Sequence, residues 1–392
     1  MALLEAALGL GLDDALRAAT STDASNACRM AGRGEAAQRH VDAAQALAER
    51  LDDDVLRGRA QWQLGSIALH TGRAAEAQAA WERALALARA AGEPQLEATS
   101  LGGLGLVHLM AGRLDDAASC IEVAIHQHRQ LGSRRSEAGL TSLLGSIRWE
   151  SGDAAGAAAL QRRARDAQRE LGDRRSEATT LTNLAISVTQ LGRPEEALAL
   201  YEEAIALHRA SGNPFGLAQT LGNLAVLHAD LGEFEEARAV LEDVLVRVQA
   251  LGDRRSEGET LVNLGLAHVE CGRLDVGVDS LEQGLARCRE AGHRRMEAIA
   301  LGALGEALRR RGERSASRAR FAESEALLRE LAVPPALAQV LLWRALLELD
   351  AGDPSAAGAV LEEAEALAGG VAPRTRLAAM LARVREAVSR AR

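Results

Sequence analysis

The chain has 392 residues, a net charge of −9, four cysteines, seven prolines and only 2% aromatic residues, and each of its 46 basic residues is an arginine. The acidic balance and the scarce aromatics argue against a nucleic-acid partner, because backbone neutralisation and base stacking both lack their residues. The missing lysine excludes a Walker A phosphate loop, a Schiff-base enzyme and a serine–lysine hydrolase.

Residues 1–12, beginning MALLEAALGLGL, predict a partial helix or N-terminal cap. They align with the second half of a later helix such as 41–50, so the chain is expected to begin inside a repeat. They lack the basic start of a signal peptide, and no run approaches the roughly eighteen apolar residues of a membrane span. The expectation is a cytoplasmic protein.

From residue 13 to about 370 the chain is periodic. Glycine recurs every 40 residues at 32, 72, 112, 152, 192, 232, 272, 312 and 352. An unbroken period of this kind predicts a stack of copied units, not one globular core. Residues 172–211 represent the unit. Leu181, Leu184, Ala185 and Val188 recur at helical spacing, and after Gly192 so do Ala197, Leu198, Tyr201, Ala204 and Ile205. The reading is two amphipathic helices joined by a glycine turn, with Gly172 and Gly192 as helix stops and Asp173 as a cap. All seven prolines fall in predicted turns or first helical turns, where a missing N–H costs nothing.

Two further columns run in register. Gly65, Gly105, Gly145, Ala185, Ala225, Gly265, Gly305 and Ala345 are small, and Ala77, Ala117, Ala157, Ala197 and Ala237 form a second small column. Large residues stand at Trp81, Ile121, Tyr201, Leu241, Leu281, Phe321 and Leu361, predicting close helix pairs with interlocking side chains. Gln161 interrupts that column, so the repeat 152–171 is expected to be looser. Residues 371–392 predict a C-terminal capping helix carrying Leu377, Met380, Leu381, Val384 and Val388 on one side.

This alternation resembles the tetratricopeptide repeat. Leu184-Ala185, Ala197, Tyr201 and Ala204 match the family pattern, as do Leu104-Gly105, Ala117, Ile121 and Ala124. The 40-residue length exceeds the common period of about 34. Asn183-Leu184-Ala185, Asn223-Leu224-Ala225 and Asn263-Leu264-Gly265 are similar to the long-helix members found in kinesin light chains and spindle-orientation adaptors. The usual helix-A tyrosine is absent, and His108, His228 and His268 occupy its place. The resemblance implies an all-α, right-handed superhelical solenoid of antiparallel helix hairpins whose first helices line a concave groove.

In that groove one ladder runs Gln63, Gly103, Leu143, Asn183, Asn223, Asn263, Ala303 and Trp343. An asparagine amide both donates and accepts, so Asn183, Asn223 and Asn263 are candidate peptide-binding residues, as the resemblance implies, with Thr179 and Gln219 beside them. The alternative is that these amides bridge repeats or face water. A second ladder carries His70, Met110, Glu150, Gln190, Asp230, Glu270, Arg310 and Asp350, and its acidic middle predicts a basic peptide or a free N-terminus as partner.

Other motifs are structural in this reading. The turn G-[SD]-R-R-S-E recurs at 132, 172 and 252, with a variant at 292, and its arginines are expected to pair with acids on adjacent repeats. Gly102, Gly103 and Gly105 lie inside a predicted helix and are no phosphate loop. His126 and His128 face apart, and the arginines from Arg309 to Arg320 form a solvated surface. Cys28, Cys120, Cys271 and Cys288 have neither zinc nor disulfide spacing and read as reduced thiols. No catalytic residue, metal or cofactor is expected. The expected function is a non-catalytic scaffold binding a peptide or protein segment. The alternative is the sensor or regulatory C-terminal arm of a larger bacterial signalling ATPase or transcription regulator.

Overall fold

A computed structural model describes residues 13–30, 33–368 and 376–391. The predicted N-terminal segment 1–12 lies outside the described residues. All regular structure among the described residues is α-helical. In chain order the helices are α1 (Asp14–Met30), α2 (Gly34–Leu51), α3 (Asp54–His70), α4 (Ala74–Ala91), α5 (Pro94–Met110), α6 (Leu114–Gln130), α7 (Arg134–Glu150) and α8 (Ala154–Glu170). There follow α9 (Arg174–Gln190), α10 (Pro194–Ala210), α11 (Pro214–Asp230), α12 (Phe234–Leu251), α13 (Arg254–Glu270), α14 (Leu274–Glu290), α15 (Arg294–Arg310), α16 (Arg314–Glu330), α17 (Pro334–Asp350), α18 (Pro354–Leu367) and α19 (Arg376–Ala391). The chain forms two compact units, residues 1–176 and 177–392.

Each helix stop is a local steric event. Gly72 sits at φ 77°, and its N–H bonds Leu69 O while Arg73 N–H bonds Ala68 O. This closure satisfies two orphan carbonyls and needs a left-handed residue, which glycine supplies without strain. The pattern recurs down the chain, and Asp52 and Ala332 are the described non-glycine residues with positive φ. Helix starts are equally local. Pro94, Pro194, Pro214, Pro334 and Pro354 occupy first-turn positions. The Asp173 side chain accepts from Ser176 N–H at 3.2 Å and Asp153 from Gly156 N–H at 2.8 Å.

In the first unit α3 packs on α4, α5 on α6 and α7 on α8; in the second, α11 packs on α12, α13 on α14, α15 on α16 and α17 on α18. The predicted small and large columns meet inside these pairs. A Cβ added at Gly65, Gly105, Gly265 or Gly305 would stand 2.6 Å from Trp81, Ile121, Leu281 or Phe321 respectively. Small residues therefore let the backbones close to a distance at which the partner's side chain fills the gap. Gln161 departs from its expectation: it is buried at 1% exposure, with its Cγ 2.8 Å from where a Gly145 Cβ would lie. Its methylenes pack as the aliphatic side chains do elsewhere, and that repeat is not opened. In the second unit α19 packs on α17 and α18, burying Val384 and Val388 against the final core cluster.

Candidate functional site

In the second unit the first helices of successive hairpins present one face, and three clefts run along it. The first, about 450 Å³, lies among α11, α12 and α13 and is lined by Gln219, Asn223, Val226, Arg255, Glu259 and Asn263, among others. Asn223 and Asn263 are half-buried on its wall and Gln219 is exposed at its edge. A small neighbouring cavity of about 70 Å³ connects Asn263 to Asp230, Phe234 and Glu270. Asp230 and Glu270 then enter a third cleft of about 650 Å³, with Arg309, Arg310 and Trp343. The 40-residue period explains this continuity, since equivalent positions point the same way from equivalent helices.

The structure thus brings together Gln219, Asn223, Asn263, Asp230 and Glu270. Thr179 (exposed), Asn183 (half-buried) and Gln190 (exposed) lie on α9, outside these three clefts. Glu150 belongs to the first unit and is exposed there.

The acidic ladder is not a bare negative strip. Arg310 Nη2 donates to Glu270 Oε2 at 2.9 Å, and Arg309 Nη1 donates to Asp350 Oδ2 at 2.5 Å. Both arginines also bind Glu306, which is 1% exposed. Arg310, Arg311, Arg314 and Arg318 are exposed, as expected of a solvated surface, whereas Arg309 is half-buried. Burial of Glu306 forces compensation by neighbouring cations, since an isolated buried carboxylate is costly. Arg318 and Arg320 are likewise engaged, by Glu348 at 2.6 Å and Glu323 at 2.9 Å. In the first cleft, burial raises the Glu259 carboxyl above the ordinary range, against the opposing pull of Arg255.

The remaining motifs resolve as structural contacts. Arg134 and Arg294 pair with Glu170 and Glu330, at 2.6 and 2.8 Å, within their own hairpins. Arg135 reaches the next repeat, 3.3 Å from Asp173. His228 Nδ1 lies 2.6 Å from Glu233 Oε2, and His108 Nδ1 accepts from Arg113 Nε at 2.9 Å. Two of the three helix-A histidines thus hold the turn that follows. Among the described residues no group of three or more His, Cys, Asp or Glu gathers to hold a metal, and no helix is long and apolar enough to cross a membrane.

Sequence reading missed one feature. In the first unit the matching face is mostly apolar and forms an open cavity of about 650 Å³ against Trp62 and Trp81. Its available signal was Gly103, which stands in the asparagine column one α-helical hairpin before Leu143 and makes room for the Trp81 ring.

Residues 56–126 and 136–210 match one tetratricopeptide-repeat family model, and residues 217–254 match a second. No curated protein matches the sequence. Solved structures share the fold. The apo form of the quorum sensor NprR from B. thuringiensis has a TM-score of 0.68 at 15% identity, covering 88% of this chain and 97% of that one. A Rap protein complexed with competence and sporulation factor has a TM-score of 0.68 at 13% identity, covering 96% and 100%. A signal-transduction ATPase with a tetratricopeptide-repeat sensor from Pyrococcus horikoshii scores 0.58 at 12% identity, covering 85% of this chain and 52% of that one.

Proposed function

Because the chain is a tetratricopeptide-repeat protein, we propose that it is a non-catalytic scaffold that binds an extended peptide or protein segment along the helix-A face of its second unit. The observation that carries this reading is the cleft shared by Asn223, Asn263 and Gln219, which continues to Asp230 and Glu270. Amides at a 40-residue spacing offer a repeating donor–acceptor pair, which suits a peptide main chain whatever its side chains. Asn183 extends the same register by one repeat. Asp230 favours a peptide carrying arginine or a free amine, although Arg310 offsets Glu270 and Arg255 offsets Glu259.

The test is a peptide selected on the protein from a random display library, measured by fluorescence anisotropy. Replacing Asn183, Asn223 and Asn263 together by alanine is expected to weaken it at least tenfold while the helical circular-dichroism signal stays intact. Unchanged affinity removes the site assignment. Acidic peptides binding more tightly than basic ones removes the charge preference.

The second reading is a sensor or regulatory arm of a signalling protein. It is supported by the near full-length likeness to a quorum sensor and by the repeat sensor of the Pyrococcus horikoshii ATPase. An immunoblot of the native protein distinguishes it: a band well above 41.4 kDa favours an arm, and a band at that mass favours a free scaffold.

A further inference from the structure

We propose that the first unit contains a separate small-molecule site, an apolar cavity that takes an amphipathic carboxylic acid with its carboxylate on Arg29. The cavity holds about 650 Å³, within the range of roughly 300–1,000 Å³ typical of small-ligand sites. Leu69, Leu106, Leu140 and Leu143 line it together with Trp62 and Trp81.

Both indoles are fixed. Trp81 Nε1 donates to Trp62 O at 3.0 Å, and Trp62 Nε1 donates to Thr99 O at 3.3 Å. Their N–H groups are spent on backbone carbonyls, so the rings offer the cavity carbon surface. Gly65 and Gly103 flank Trp81 so closely that an added Cβ would stand 2.6 Å from its ring. The wall is therefore rigid and apolar, which suits a hydrocarbon body.

Of the polar residues on that surface, Arg29 and His128 each hold a buried nitrogen without a partner. Arg29 Nη2 donates to Asn26 Oδ1 at 2.8 Å, while its buried Nε has no hydrogen-bond partner. Among the described residues Arg29 has no carboxylate partner, whereas Arg309 and Arg310 in the second unit have two each. Burial pulls its guanidinium below the usual arginine value, the mark of a cation without compensation. His128 also lines the cavity; it is 2% exposed, and its Nδ1 is buried without a partner. Burial disfavours the charged form of that imidazole, which offers a hydrogen bond through Nδ1. One uncompensated guanidinium beside that imidazole matches a monoanion, and a carboxylate fits the guanidinium fork. The equivalent face of the second unit carries amides and acids, so the two units differ in what they attract.

Decanoate and the matched neutral decanol test this by calorimetry and by the fluorescence of Trp62 and Trp81. The wild-type protein is expected to bind one decanoate per chain, at least tenfold more tightly than decanol. Arg29→Met should bring decanoate to the level of decanol and leave decanol unchanged. Gly139→Leu should abolish both with no loss of melting temperature, because Gly139 lines the cavity and a Cβ there meets nothing within 4 Å. Failure of decanoate to bind the wild-type protein overturns the proposal, including the case in which a peptide with an apolar C-terminal residue binds instead. Decanoate affinity indifferent to Arg29→Met, or undiminished by Gly139→Leu, overturns it as well. Neither variant touches the peptide cleft of the second unit, so the two assignments fail separately.

Discussion

Residue 332 is where the turn code breaks. Ala332 takes φ 52° at a position that glycine fills in most other hairpins, as at Gly292 with φ 64°. An L-residue in that region carries a strain of about 1–2 kcal/mol. Ala332→Gly is therefore expected to stabilise the protein by about 1 kcal/mol, read from the shift in urea midpoint, after the extra unfolded-state freedom of glycine is counted. Asp52, at φ 53°, is less strained because a short polar side chain tolerates this conformation. Two buried histidines contribute to the acid limb of stability, with His293 lowered in the same direction. Burial lowers His128, and burial together with Arg238 and Arg273 lowers His268. The unfolded chain keeps an ordinary value near 6.5, so below that pH it binds protons the folded chain refuses. Stability is expected to fall as pH drops below about 6.5. The double variant His128→Gln, His268→Gln should show a flatter melting temperature between pH 7.5 and 5.5; an unchanged slope would place the loss elsewhere.

Between elements, the decisive contacts are small residues against large ones. Gly305 faces Phe321, where an added Cβ would stand 2.6 Å from the ring. Gly305→Ala is expected to destabilise by about 1–3 kcal/mol, although alanine is the better helix former by about 1 kcal/mol. Gly139→Ala serves as the internal control, because its Cβ meets nothing and only the propensity gain remains. A denaturant melt that ranks the two variants equally would remove the interlocking account. The columns behind this prediction were legible because the 40-residue period aligns equivalent contacts. Gln161 was misread as loosening its repeat because residue type alone suggests a polar gap; its aliphatic stem fills the volume an apolar side chain would take. The ion pairs of Arg309 and Arg310 escaped the sequence reading for a related reason. Their helical spacing was visible, whereas the burial of Glu306 between them depends on neighbouring elements.

For the whole molecule, a repeat array must cover its last apolar face. In the second unit α19 does so, with Val384 and Val388 at 1% and 3% exposure. Val384→Asp with Val388→Asp is expected to lower the melting temperature and increase self-association on size-exclusion chromatography, since two unpaired carboxylates would enter the core. A monodisperse double variant with wild-type melting would show that α19 contributes nothing to the fold's closure. The binding faces belong to this scale as well. The asparagine column could be read along the chain, and so could Gly103 and Leu143 in the same column. Which of those positions faces a polar cleft and which an apolar cavity could not.

The amino-acid sequence alone determined the repeat unit, its helix boundaries, its caps and its family. Those depend on steric and hydrogen-bonding preferences that act within a few residues, and periodicity multiplies each signal. Tertiary structure decided the rest: that Arg310 quenches Glu270 from 40 residues away, that Asn223 and Asn263 share one cleft, and that half-buried Arg29 lines one cavity with two tryptophans. Desolvation and charge compensation depend on what the neighbouring helix brings, and a helical register fixes only the direction in which a side chain leaves its own.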